Sequence, residues 1–119
     1  MNIPDGMDMA VLMDAACNDQ EMAATLMQLF FELTKQEQTR LNDAVAQGNA
    51  PTASAVAHKV AGSCASCGLN RLAALFRETE HLCKETLPGD INERIQAITQ
   101  EMTQVRLDLE KYFNRPLTP

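Results

Sequence analysis

The stretch INERIQAITQEMTQVRLDLEKYF, residues 91–113, decides the fold. Ile91, Ile95, Ile98, Met102, Val105, Leu109 and Tyr112 recur at alternating spacings of four and three. That spacing keeps one stripe on one face of a helix, with polar residues on the opposite face. Such a seam needs a partner. A second copy of the chain would supply one as a coiled-coil dimer. The remaining sequence supplies one internally, because it reads as further amphipathic helices.

Upstream, Leu87-Pro88-Gly89 is a break, and Asp90 with Glu93 forms a capping-box pattern for the last helix. Before it, a helix capped by Asn70 carries Leu72, Leu75, Phe76, Thr79, Leu82 and Cys83 on one side. An earlier helix, capped by Asn49 with Pro51 in its first turn, closes at Gly68. The long helix before that starts at Asn18, with Glu21 three residues on, and stops at Gly48. Its stripe is Met22, Leu26, Phe30, Leu33, Leu41 and Ala44, interrupted by Glu37. Residues 8–17 suggest a short first helix with Asp8 as its cap. Residues 115–119 read as a loose tail. The expectation is all-α: an antiparallel four-helix bundle with a short additional N-terminal helix. It forms one domain over 1–119 with its core at about 19–113.

Composition agrees. The chain has 119 residues, enough for one core without staples. Five Gly and five Pro are too few for a turn-rich β-sandwich. A formal net charge of −6 argues against general nucleic-acid binding and against an anionic membrane surface. No run is long enough to span a bilayer, and the first residues lack a signal-peptide pattern. Cys17, Cys64, Cys67 and Cys83 are therefore expected as reduced thiols in a cytoplasmic protein.

The third helix carries the informative residue. With Val56 at 0°, Ala53, Val60, Cys64 and Cys67 fall at about 20–80°, Ala57 at about 100°, and His58 at about 200°. His58 is thus expected in solvent. Its helical neighbours, Ser54, Ala55, Ala61, Gly62 and Ala65, are all small. An ordinary exposed face carries long polar side chains, and a mid-helix glycine costs up to about 1 kcal/mol against alanine. The pattern reads as a low platform for a docking macromolecule. Tight helix packing is the other reading, and it accounts poorly for Gly62. Neutral imidazole is a nucleophile near neutral pH, and an exposed one suits phosphoryl transfer, with a docking partner bringing carboxylate and Mg²⁺. Lys59 is a long cation beside it. His81, with Arg77, Glu78, Lys84 and Glu85 nearby, reads as an ordinary solvated residue.

The segment Ala57-His58-Lys59-Val60-Ala61-Gly62-Ser63-Cys64-Ala65-Ser66-Cys67-Gly68-Leu69 resembles the signature of histidine-containing phosphotransfer (HPt) domains. His58, Gly62, Ser63 and Gly68 match in register, and Leu72-Ala73-Ala74-Leu75 is similar to the family's next helix. Two positions depart: Ala61 stands where the family usually has Lys, and Cys67 replaces an aliphatic residue. The resemblance implies a phosphorelay carrier. His58 would take a phosphoryl group on Nε2 from an aspartyl phosphate and pass it to another aspartate. Partners would be receiver domains of response regulators or hybrid sensor kinases, with Mg²⁺ on the receiver and no cofactor of the chain's own. The sequence shows no nucleotide-binding glycine motif, ATP-lid pattern or receiver-type acidic cluster, so no kinase activity of its own is expected, and a monomer is expected. Lys59 would support the phosphoryl group. Glu80, nearest by ungapped register, would orient the imidazole through Nδ1.

Two other readings stay open on sequence. One is thiol or zinc chemistry at Cys64 and Cys67, although both fall within the apolar stripe. The other is a non-catalytic helical adaptor that binds a receiver or another partner without phosphorylation.

Overall fold

The computed structural model describes residues 3–118. The parts of the expected tail and domain that fall on residues 1, 2 and 119 lie outside them. Among the described residues five helices run in order: α1 (Met9–Ala15), α2 (Gln20–Ala46), α3 (Ala50–Ser66), α4 (Asn70–Leu82) and α5 (Ile91–Phe113). Helices α2, α3, α4 and α5 pack in a closed ring, each against the next, and α1 leans on α2 and α3 at one end. The body measures 42 × 21 × 21 Å.

The α5 seam points inward as expected. Ile91, Ile98, Met102, Val105 and Leu109 are buried, and Ile95 and Tyr112 are half-buried against the core. The seam finds its partners within the chain, so the fold needs no second copy to cover it.

Helix α2 departs from its expected face. Met22 and Leu33 are 48% and 53% exposed, whereas Ala23, Met27, Phe31 and Thr34 are buried beside Phe30, Leu41 and Ala44. A 27-residue helix has two apolar stripes here, and the one built on small and aromatic residues fits between α3 and α5. Met22, Leu29 and Leu33 are left in solvent.

The expected caps hold in part. Asp8 accepts from the amide of Ala10, and Asn49 from that of Thr52. Asn18 does not cap α2: its φ is +60°, and Asp19 accepts from the amides of Glu21 and Met22. Asp90 makes no side-chain cap on α5 and instead accepts from Arg94 Nε at 3.0 Å. Asn70 is the first residue of α4 rather than its cap, which is Leu69.

The tail is not loose. Leu117 is fully buried, its amide donates to Glu110 Oε2 at 2.7 Å, and Gln28 Nε2 donates to the Thr118 carbonyl at 2.6 Å. One apolar side chain, placed after a proline, gives the segment a core contact that composition does not announce. The turn between α3 and α4 positions the site. Gly68 adopts φ +75°, its carbonyl accepts from the Asp8 amide at 2.8 Å, and a Cβ there would collide with the Asp8 backbone.

Candidate functional site

Helix α3 lies between α2 and α4, and its outer face carries His58. The His58 side chain is 75% exposed, as its place on the helix requires. Its Nδ1 is 2.9 Å from Glu80 Oε2 on α4. Glu80 is itself largely covered, its side chain only 24% exposed, which limits the carboxylate's freedom to move away. Ser54, one turn before His58, donates its hydroxyl to the Glu80 backbone carbonyl at 2.8 Å. A carboxylate on Nδ1 favours the tautomer with the proton there, leaving the Nε2 lone pair available.

Of the small residues around the imidazole, Ala55 and Gly62 are exposed, and Ser54 and Ala65 are half-buried. Ala61 is 2% exposed, which corrects its expected outward position: α4 closes over that side of α3. A Cβ at Gly62 would meet nothing within 4 Å, so no packing in this chain demands glycine. Tight helix packing therefore does not explain it.

Lys59 points away from the imidazole, toward α2. Its Nζ is 2.8 Å from Glu37 Oε1, and Arg40 also reaches Glu37 at 3.2 Å. This accounts for the acid that interrupts the α2 stripe. The hydrogen bond from Lys59 holds the Glu37 carboxyl below its ordinary range, with Arg40 adding to the effect.

An open depression of about 390 Å³ flanks His58. Beyond His58 and Glu80, its walls include Arg77, His81 and Lys84, with Ala61 and Gly62 on the α3 side. In the sequence Arg77 and Lys84 read only as charged neighbours of His81. Their positions relative to Glu80, three before and four after, were the available signal. His81, expected to be unremarkable, borders the same depression.

The thiols offer no comparable site. Cys64 is fully buried, and burial pushes its thiol up to about 12; Cys67 and Cys83 are raised for the same reason. Reactive or metal-binding thiols need the opposite shift. Among the described residues no cluster of three or more His, Cys, Asp or Glu is arranged to hold a metal. Nor is any described helix long and apolar enough to cross a membrane.

These features define a helical bundle presenting one oriented, exposed imidazole on an unobstructed face. The family model of the Hpt domain matches residues 25–108, and the chain belongs to that family. Its role is accordingly phosphotransfer in a phosphorelay, as a carrier. Among solved structures, histidine-containing phosphotransfer protein B (HptB) from Pseudomonas aeruginosa PAO1 superposes with a TM-score of 0.83. The match covers 92% of this chain and 96% of that one at 19% identity, and it establishes the shared helical-bundle fold. No curated protein matches the sequence.

Proposed function

We propose that His58 is the phosphoryl-accepting residue and that the chain relays the group between aspartates of receiver domains in a two-component pathway. One observation carries the assignment: His58 is exposed while its Nδ1 is fixed on Glu80, so Nε2 faces outward as the nucleophile.

In the forward step Nε2 attacks the phosphorus of a receiver's aspartyl phosphate. The N–P bond forms as the P–O bond to the aspartate breaks, and the carboxylate leaves with that electron pair. The proton on Nδ1 stays in place, and the positive charge gained by the ring is balanced by Glu80. The return step, onto a second receiver's aspartate, reverses these bonds. Mg²⁺ belongs to the receiver in this scheme.

Docking by another protein is supported by Gly62, which keeps the approach open, and by the α2 surface. Leu26, Leu29 and Leu33 lie within about 80° of Glu37 around α2. They therefore extend from the Lys59 pair as an apolar band, with Leu29 and Leu33 48% and 53% exposed.

Incubation with a phosphorylated receiver tests the reading. An alkali-stable, acid-labile label is expected on the wild-type chain and not on His58→Gln. Binding without label would favour the non-catalytic adaptor.

A further inference from the structure

The family signature places a lysine three residues after the phosphorylated histidine, and this chain has Ala61 there, buried at 2% exposure. The nearest cation in sequence, Lys59, is engaged by Glu37 on the α2 side. A phosphoryl group on Nε2 would add negative charge close to the Glu80 carboxylate. Some cation has to offset it.

The packing of α3 against α4 shows which one. These helices are antiparallel, and the His58–Glu80 contact fixes their register. One turn toward Gly68, the same register sets Arg77 of α4 opposite Ala61. One turn the other way it sets Lys84 opposite Ser54. Both line the depression beside His58. Arg40, Lys59, Arg71, Arg94 and Arg106 are all held in ion pairs. Among the described residues Lys35, Arg77, Lys84, Lys111 and Arg115 are in none, and of these only Arg77 and Lys84 line the depression.

We infer that Arg77 is the principal phosphoryl-binding cation of this chain, with Lys84 closing the other side of the same depression. The proposal rests on the assignment of His58 as acceptor. The guanidinium takes over from the neighbouring helix the role of the lysine missing at position 61. Its planar fork matches two phosphoryl oxygens, which a lysine binds only as a point charge. Lys84 lies just past the end of α4, on a flexible stem that reaches the third oxygen. Small alanine and glycine side chains at 61 and 62 leave the guanidinium room to reach across, so the substitution at 61 and the arginine at 77 act as a pair. His81 sits between the two cations on the same wall and is a spectator to the transfer.

Phosphoramidate provides a test that needs no receiver. It transfers its phosphoryl group to the imidazole nitrogen and releases ammonia, and ³¹P NMR follows the product on the full chain. For Arg77→Gln, labelling is expected to slow about tenfold or more, because the guanidinium's paired charge-assisted hydrogen bonds are lost. The pH midpoint of the phosphoryl resonance should move upward, because a nearby cation favours the dianion. Arg77→Lys should recover part of the rate, Arg77→Gln with Lys84→Gln should lose more, and Lys111→Gln, remote on α5, should match wild type. If wild type takes no label at His58, the carrier assignment fails and this inference with it. If wild type is labelled while both Arg77→Gln and the double variant, folded by circular dichroism, match its rate and midpoint, only the role of Arg77 and Lys84 is overturned.

Discussion

Lys59 Nζ stands 2.8 Å from Glu37 Oε1, so the cation next to His58 in sequence is committed to a different helix from the one that holds the imidazole. Adjacent residues on α3 point about 100° apart, and α2 and α4 flank it on opposite sides. His58 therefore turns to α4 and Lys59 to α2, and each finds a carboxylate there.

Lys59→Ala is expected to reduce stability by about 0.5 kcal/mol at neutral pH, a modest figure because the lysine is well exposed. Glu37 has a folded pKa held below its ordinary value of 4.5, so its contribution is full above that value. It is lost as pH falls through the lowered folded pKa. The difference between wild type and Lys59→Ala in urea unfolding should accordingly shrink on acidification. A difference that grows would contradict the pairing.

Glu80→Ala should slow phosphoryl acceptance roughly tenfold, as the ring loses the hydrogen bond that sets its tautomer. Glu80→Gln, which can still accept from Nδ1–H, should retain more activity. Nitrogen NMR of the imidazole gives an independent readout: the Nδ1-protonated form should dominate in wild type and lose ground in Glu80→Ala. Identical ring spectra would remove Glu80 from its positioning role.

Gly62 separates folding from docking. Nothing in the chain opposes a side chain there, so Gly62→Ala should stabilise the helix by about 0.5–1 kcal/mol. Gly62→Gln should cut transfer from a phosphorylated receiver by about tenfold or more, since slight misplacement of reacting groups is costly. Full receiver-driven transfer would show that the open face is not needed.

Much of this was legible in the sequence, and the failures have physical causes. Helix α5 could be read closely because Ile91 through Tyr112 form one unambiguous stripe. Helix α2 could not, because Met22, Leu29 and Leu33 form a second apolar stripe as convincing as the buried one. Choosing between them depends on which face α3 and α5 cover. His58 is legible from helix geometry, whereas Glu80 follows only from the family resemblance and its ungapped register; the structure brings the two into contact. Ala61 was misplaced because a wheel drawn for one helix does not show how far its neighbour overlaps. Leu117 was missed because a single buried side chain has no periodicity. Arg77 and Lys84 matter only once α4 is laid against α3.

The buried thiols predict an alkaline weakness. Cys64 is raised from 9.0 to about 12 by burial, so its stabilising effect is full below about pH 9 and is lost as pH rises toward 12. Urea unfolding midpoints should fall across that window, and less steeply for Cys64→Ala. In the native state Cys17, which is exposed, should react with a thiol reagent while Cys64 stays protected. Rapid native-state labelling of Cys64 would mean the helix pair opens more readily than this packing implies.

The chain's two histidines border one depression, and only one of them has its ring fixed on a carboxylate. Site mapping by mass spectrometry, under alkaline handling after transfer from a phosphorylated receiver, distinguishes them directly. The phosphoryl group should be found on His58 and not on His81. A phosphoryl group on His81, or an unmodified His58 beside a receiver that has discharged to this chain, would contradict the assignment.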